Sequence, residues 1–202
     1  IKVAMLSYTY GTNFGLQHKD RLSYIDEDKI KEDITALRPE CDFIIVFLHI
    51  GTEYVRSVEN FQQELVNKVA DFGADTILCS HPHVARKTEL LKVGEKDVLV
   101  NYSLGNFISN QNDKYTDIGS MQHIKLEKID TLTRIKATET IPVYRLRYKN
   151  NGKTVYRVVP SKDMDKFSSI VGESTMSYIN EVSAELAFSY EAPTYNTVKQ
   201  LR

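Results

Sequence analysis

Strand-like and helical segments alternate along the first 80 residues of this 202-residue chain. Residues 2–10, 42–48 and 75–79 are mostly apolar runs, and the run 42–48 is continuous, which is typical of a strand that is covered on both faces. Two segments with apolar residues at helical spacing separate these runs, one from Asp26 to Arg38 and one over 58–72. The order strand–helix–strand–helix–strand predicts a parallel sheet with right-handed crossovers.

The second half of the chain has the pattern of antiparallel β-structure. The segments Glu89–Val93 and Asp97–Asn101 flank a Gly-Glu-Lys turn and predict a hairpin. Three further stretches alternate apolar and polar positions, with an Asn-Asn-Gly turn between the last two: 121–129, 134–148 and 153–159. A helix is predicted over 174–188, and the residues from Glu191 onward resemble a tail. The predicted fold class is α/β (α+β), with a parallel βαβαβ first half and an antiparallel second half.

Composition and charge exclude several classes of function. The formal net charge is −1, so no overall field attracts the chain to nucleic acid or to a membrane surface. No run of about 18 apolar residues occurs, so no transmembrane helix is expected within the chain. Cys41 and Cys79 fall at opposite ends of predicted parallel strands, too far apart for a disulfide. Because Ile1 begins directly in a strand-like run, with no signal peptide before it, we expect a piece of a longer protein.

Histidines stand at the carboxyl ends of two predicted parallel strands. His49 ends the second apolar run, and His81 and His83 follow the run that ends at Cys79. Ligands of such sheets bind beyond the carboxyl ends of the strands, and neutral imidazole is the commonest protein ligand for metal ions. We therefore predict that the three imidazoles converge on a metal ion. The alternative is a His-x-His pair that merely ends a strand.

Short motifs in a fixed order resemble the CapA family: HIGTEY at 49–54, GAD at 73–75 running into HPHV at 81–84, and YSLGNF at 102–107. The CapA proteins are poly-γ-glutamate capsule-synthesis proteins of the calcineurin-like metallophosphoesterase superfamily. Their order and spacing match this chain through about residue 160. Two positions depart from the family pattern, because Ile50 replaces the usual Trp and Ser80 replaces the usual Gly.

The resemblance implies a metallophosphatase-like β-sandwich, flanked by helices, with a metal site at the strand ends. Residues 1–160 would form the C-terminal portion of this CapA-like domain, and residues 161–202 a C-terminal helix and a tail packed on the same domain. The N-terminal part of such a fold supplies Asp and Asn ligands in the family and would be missing here. We therefore expect an incomplete metal site if the chain stands alone.

The resemblance also assigns metal ligands. His49 and His81 would match ligands of the second metal of the family site, and His83 would match a ligand of the first. The implied cofactor is divalent Mn, Fe or Zn, with two ions in the complete domain or none in this piece. Three histidines alone are also able to hold one zinc-like ion with an open position.

The candidate catalytic residues are His81, His83 and Glu53. Glu53 lies four residues after His49. Its carboxylate is expected to orient a ligand, to bind the metal or to take a proton from the substrate, unless it is simply a solvated loop carboxylate.

Three residues are candidate substrate contacts: Tyr102, Asn106 and Arg86. Tyr102 and Asn106 are able to hydrogen-bond to carboxylates or to a phosphate, but Asn106 beside a glycine equally well satisfies its own turn. Arg86 begins a basic stretch that would suit an anionic polymer, yet interleaved glutamates make a solvated hairpin an equal explanation. His18 and His123 are not accompanied by other candidate ligands in a recognisable pattern, and they are expected at the surface or in a β-ladder.

Three functions are compatible with these features. The favoured one is a cell-surface protein of poly-γ-glutamate (capsule-type polymer) biosynthesis or export with a metallophosphatase-like metal site. The alternatives are an active metal-dependent hydrolase of phosphoesters or γ-glutamyl amides, and a non-catalytic extracellular binding domain. The implied partners are poly-γ-glutamate or another anionic small substrate and other capsule-synthesis membrane proteins, with no nucleic acid. The resemblance implies a location at the extracellular face of the cell membrane, through an N-terminal anchor that would lie outside this piece.

Overall fold

The computed structural model describes residues 1–13 and 21–193. Five strands form the first sheet: β1 (Val3–Thr9), β2 (Phe43–His49), β3 (Thr76–Ser80), β4 (Thr88–Val93) and β5 (Lys96–Asn101). Their order is β1-β2-β3-β5-β4. Strands β1, β2, β3 and β5 run parallel to one another, and β4 returns antiparallel to β5. The predicted parallel first half and the hairpin are confirmed.

Two helices cover one face of this sheet: α1 (Glu27–Leu37), continued by a 3₁₀ turn (Arg38–Glu40), and α2 (Asn60–Asp71). The Asp26 side chain accepts a hydrogen bond of 2.9 Å from the backbone N–H of Lys29 and caps the start of α1. Apolar helix residues pack against alternate residues of the strands: Ile30, Ile34, Leu65, Val66 and Val69. Because β2 is covered on both faces, fully on one and partly on the other, its apolar run is continuous rather than alternating.

The second sheet is antiparallel and has four strands: β6 (Ile118–Ile129), β7 (Leu132–Asn150), β8 (Lys153–Pro160) and β9 (Phe188–Glu191). The long strand β7 pairs with β6 along one side, and with β8 and β9 at separate stretches of the other side. Strand β9 was not predicted, because its first residue falls at the end of the predicted helix over 174–188 and its last residue begins the predicted tail. Phe188 and Tyr190 are half-buried while Ser189 and Glu191 are exposed, which is the alternation of a strand.

The two sheets pack face to face. Residues of both sheets meet in one apolar cluster between the layers: Phe43, Leu99 and Ile135, with Phe188 and Tyr190 of β9 against them. A hydrogen bond of 2.9 Å from the Thr140 hydroxyl to the Thr88 hydroxyl joins the layers inside this interface. The resulting β-sandwich with helices on its outer faces confirms the predicted mixed α/β fold.

The outer face of the second sheet is covered by the C-terminal helices. A 3₁₀ segment (Ser161–Phe167) leads into α3 (Ser168–Val171) and α4 (Glu173–Leu186). The buried stripe of α4 consists of Ile179, Val182 and Leu186, which pack in one cluster with Leu146 of β7. The end of the predicted tail, residues 194–202, lies outside the described residues, as does His18.

A buried carboxylate fixes the edge of the first sheet that lies opposite the histidines. Asp75 accepts hydrogen bonds from the backbone N–H of Ile44 at 2.6 Å and from the Arg38 guanidinium at 2.8 Å. Lys96 also lies 2.6 Å from this carboxylate. The Asp75 side chain therefore ties together the starts of β2, β3 and β5, and with them the register that aligns their carboxyl ends.

Two further observations concern the cysteines and the length of the helices. Cys41 and Cys79 are free cysteines. Among the residues that the structure describes, no helix combines the length and the apolar character that crossing a bilayer requires.

Candidate metal centre

The parallel register brings the carboxyl ends of β1, β2 and β3 together at one edge of the first sheet. Thr9 lies opposite His49, and His49 lies opposite Ser80. The chain then leaves the sheet through His81 at φ 108° and His83 at φ 61°. Positive φ values at residues other than glycine cost on the order of 1–3 kcal/mol each and are concentrated at functional sites.

Glu53, His81 and His83 form a compact cluster, which we call the metal cluster. One ligand atom from each lies within 4.8 Å of the other two. The nearest carboxylate oxygen of Glu53 is 3.7 Å from Nε2 of His83, and their side chains are 47% and 31% exposed. The cluster therefore opens to solvent, where a substrate has access.

The donor set of this cluster suits a divalent transition metal. Two imidazoles and one carboxylate with open positions are a ligand set that zinc uses in catalytic sites, and imidazole also suits iron. Cys79 does not supply a thiolate to this edge of the sheet, because burial raises the pKa of its thiol to about 12.

A hydrogen-bond chain fixes the tautomer of His83. The side-chain N–H₂ of Asn106 donates to the backbone carbonyl of Thr116 at 3.1 Å. Since a carbonyl only accepts, the Asn106 Oδ1 must be the atom that faces Nδ1 of His83, at 3.0 Å. His83 therefore carries a proton on Nδ1, and in the neutral form that binds metal it presents the bare Nε2 to the metal cluster, as metal-binding histidines usually do.

The same reasoning applies to His49. The Thr9 hydroxyl donates its single proton to the carbonyl of Gly11 at 2.6 Å. It therefore accepts from Nδ1 of His49 at 2.9 Å, which leaves Nε2 of His49 without a proton.

His49 lies beside the metal cluster rather than within it. Its ring packs edge-on against His81, with the ring centroids 4.7 Å apart, and the ring of Tyr10 lies 4.6 Å from that of His81. Burial is the main cause that lowers the pKa of both His49 and His81. The nearby His83 lowers the pKa of His49 further, and His49 does the same to His81. Both imidazoles are therefore neutral near pH 7, the form that binds metal.

Arg86, a predicted substrate contact, is instead buried beneath the loop that carries Glu53. Its side chain is 0% exposed and lies 3.1 Å from Glu59. It donates to the backbone carbonyls of Val55 at 2.8 Å and Thr52 at 3.2 Å, and to the Gln62 side chain at 2.6 Å. Because its donors are engaged inside the protein, Arg86 shapes the loop and does not face a substrate.

Gly51 allows this loop to pass close to the histidine turn. It has φ 124°, and a Cβ added to it would lie 2.8 Å from Cγ of Pro82, between the two cluster histidines. A side chain at this position would therefore displace the turn that holds His81 and His83.

Tyr102 and Asn106 also have roles that differ from the predicted substrate contacts. Tyr102 is fully buried, and its hydroxyl donates to Glu89 at 2.8 Å, so it does not reach the cluster. Asn106 does reach the cluster, but its carbonyl oxygen is used by His83. The remaining described histidine, His123, lies in β6 of the second sheet, outside the metal cluster.

Thr9 is a site residue that sequence reasoning missed. Its contact with His49 depends on the register between two parallel strands, which residue patterns do not reveal. Gln111, which contacts Asn106 at 2.8 Å, was also missed, because no motif or periodicity marks it in the loop before β6.

Comparison with known proteins adds a family match. Residues 1–111 match the family model described as "Bacterial capsule synthesis protein PGA_cap". The chain is 29% identical over 128 residues, 61% of its length, to the PGA biosynthesis protein CapA of Bacillus subtilis (strain 168), and this match covers 33% of that protein. It is 37% identical over 118 residues, 55% of its length, to the capsule biosynthesis protein CapA of Bacillus anthracis, and this match covers 28% of that protein.

The matched stretches thus span about a third of the length of these relatives. The family match over residues 1–111 includes the whole metal cluster together with Thr9, His49 and Asn106.

Proposed function

Because the chain belongs to the bacterial capsule synthesis protein family PGA_cap, as its motifs predicted, we propose that it acts in the synthesis or export of a poly-γ-glutamate capsule polymer and uses a metallophosphatase-like metal site. The observation that carries the metal site is the approach of Glu53, His81 and His83 to within 4.8 Å of one another. The fixed Nδ1–H tautomer of His83 supports it, since the atom left free is the one that faces Glu53.

Glu53, His81 and His83 would hold a divalent Mn, Fe or Zn ion, and His49 presents a further bare Nε2 beside them. In the longer proteins of the family, a second ion would share the site. Such an ion acts as a Lewis acid that stabilises anionic groups and lowers the pKa of a bound water. Glu53 is half-exposed next to His83 and is placed to hold or to take a proton at the solvent side of the cluster.

Hydrolysis of phosphoesters or γ-glutamyl amides is the second candidate function. The solvent-open cluster, with a carboxylate beside the imidazoles, favours it. A polymer-binding domain without turnover would not need a proton acceptor at Glu53, although it would also need an open site. Turnover by the metal-loaded protein therefore separates these two possibilities.

The proposal extends to partners and location. The polymer, or another anionic small substrate, and other capsule-synthesis membrane proteins are the proposed partners, and the extracellular face of the cell membrane is the proposed place of action. The family membership favours the location, and the partners follow from the proposed role in making the polymer. Protease accessibility of the full-length protein on intact cells tests the location, and protection of the domain until the cells are lysed would contradict it.

The experiment that tests the metal site is a calorimetric titration of the protein with Mn²⁺, Fe²⁺ and Zn²⁺. We expect at least one of these ions to bind, and we expect His81→Ala and His83→Ala each to weaken that binding by about 100-fold or more. His123→Ala is the matched control, because it removes an imidazole outside the cluster. Equal binding by all four proteins would contradict the site.

The capsule role is tested by placing the same alleles in the chromosome of the source bacterium and measuring γ-glutamyl polymer at the cell surface. We expect His81→Ala and His83→Ala to reduce the polymer and His123→Ala to leave it unchanged. Normal polymer in a strain that lacks the gene would contradict the role altogether.

A further inference from the structure

Gln111 lies in the connection between β5 and β6, at the rim of the metal cluster. Its side-chain carbonyl accepts a hydrogen bond of 2.8 Å from the Asn106 amide, and its side-chain N–H₂ donates to the Tyr54 hydroxyl at 3.1 Å. One side chain therefore joins two loops that are 57 residues apart in the sequence.

Both residues that Gln111 contacts act on the metal cluster. Asn106 holds Nδ1 of His83, and its amide orientation depends on acceptors for its N–H₂ group, of which Gln111 is one. Tyr54 follows Glu53 directly, has φ 64°, and stacks on the His83 ring with the centroids 6.0 Å apart. A glutamine amide offers the acceptor and the donor that these two contacts need.

The second sheet holds Gln111 in place. Arg145 of β7 is only 6% exposed, and its guanidinium donates to the backbone carbonyl of Gln111 at 2.7 Å. The neighbouring Asn110 accepts a hydrogen bond of 2.5 Å from the hydroxyl of Tyr156 in β8. The loop is thus tied to β7 and β8, while the Gln111 side chain reaches across to the first sheet.

We propose that Gln111 is a positioning residue for the metal cluster, through which the second sheet orients His83 by way of Asn106 and Glu53 by way of Tyr54. The inference rests on the proposed metal site and goes beyond it, because it assigns to the antiparallel half of the fold a part in shaping that site. Ligand-orienting residues of this kind are typically worth about 10–100-fold in metal affinity.

The test compares Gln111→Leu with Gln111→Glu. Leucine is apolar and makes neither hydrogen bond. A glutamate carboxylate accepts from the Asn106 amide and also from the Tyr54 hydroxyl, so it preserves both links. Gln63→Leu is the matched control, because Gln63 is an exposed glutamine on α2.

The first readout is the ¹⁵N spectrum of the imidazoles in the metal-free protein, with the His83 signals assigned from His83→Ala. We expect the Nδ1–H tautomer in the wild type, Gln111→Glu and Gln63→Leu. In Gln111→Leu only the Thr116 carbonyl is left to hold the Asn106 amide, so we expect a measurable share of the Nε2–H tautomer to appear beside the Nδ1–H form. The second readout is metal affinity, which we expect to fall about tenfold in Gln111→Leu and to be restored in Gln111→Glu.

The two readouts separate the inference from the proposed function. If the wild type binds no metal, the proposed metal site fails, and the tautomer of metal-free His83 still decides the role of Gln111. An unchanged His83 tautomer together with unchanged metal affinity in Gln111→Leu would overturn the inference. So would a loss that Gln111→Glu does not restore.

Discussion

The Oδ1 atom of Asn106 accepts a hydrogen bond from Nδ1 of His83 at 3.0 Å. This contact turns the bare Nε2 of His83 toward Glu53, which lies 3.7 Å away. Asn106 belongs to the YSLGNF motif and His83 to the HPHV motif, 23 residues before it. The two motifs therefore act together to orient one metal ligand.

Asn106→Ala is expected to weaken metal binding by about 10–100-fold, because His83 loses the acceptor that fixes its tautomer. Asn106→Asp keeps an acceptor for Nδ1 and is expected to bind metal more tightly than Asn106→Ala. Calorimetric titration measures both, with Asn180→Ala on the exposed side of α4 as the control. Equal affinities for the alanine and aspartate variants would show that the contact does not act through His83.

Arg86→Ala is expected to lower the free energy of unfolding by about 3–5 kcal/mol, since it removes a buried cation and leaves Glu59 without that partner. Arg86→Lys keeps the charge but loses the planar fork of donors, so we expect an intermediate loss. Lys87→Ala, which removes an exposed ion pair with Glu89, is expected to change stability by less than about 1 kcal/mol. Urea unfolding measures all three. Equal losses for Arg86→Ala and Lys87→Ala would contradict the buried role.

Gly51→Ala is expected to reduce both stability and metal binding, because its Cβ would press on Pro82 in the histidine turn. Gly152→Ala is the control, since Gly152 also has a positive φ, of 75°, but no atom within 4 Å of the added Cβ. That variant should lose only about 1–2 kcal/mol for its backbone conformation and should bind metal normally. The idea fails if the two variants lose the same stability and bind metal equally well.

The metal-free protein is expected to lose stability as the pH falls below about 6.5, the ordinary histidine pKa. Burial lowers the pKa of His49 and His81, so the unfolded chain binds more protons than the folded protein in this range. The free energy of unfolding therefore decreases as the pH is lowered. Urea unfolding between pH 7.5 and 5.5 measures the slope, which should be shallower in His49→Gln than in His123→Gln. Identical slopes in these two variants would contradict the assignment.

The fold follows from the sequence wherever burial alone decides an element. The continuous apolar run that became β2 and the capped segment that became α1 were predicted because both report a local pattern. Strand β9 was missed because its four residues gain stability from pairing with β7, a contact that local periodicity does not contain.

The site was only partly predictable. The strand ends explain why His49 and His81 lie side by side, and Glu53 and His83 meet at positions that the motifs marked. Arg86 was misjudged, because basic neighbours suggested an exposed stretch while its own side chain is buried. Thr9 contacts His49 because of the register between two strands, and Gln111 contacts Asn106 because of the path of a long loop. Neither contact is predictable from the spacing of residues in the sequence.

The most direct test of the metal cluster is an anomalous-difference map from crystals of the protein soaked in Mn²⁺ or Zn²⁺. We predict a peak at about 2.0–2.2 Å from a carboxylate oxygen of Glu53 and from Nε2 of His83, with His81 as the third ligand. A peak elsewhere in the molecule, or no peak at saturating metal, would contradict the cluster as a metal centre.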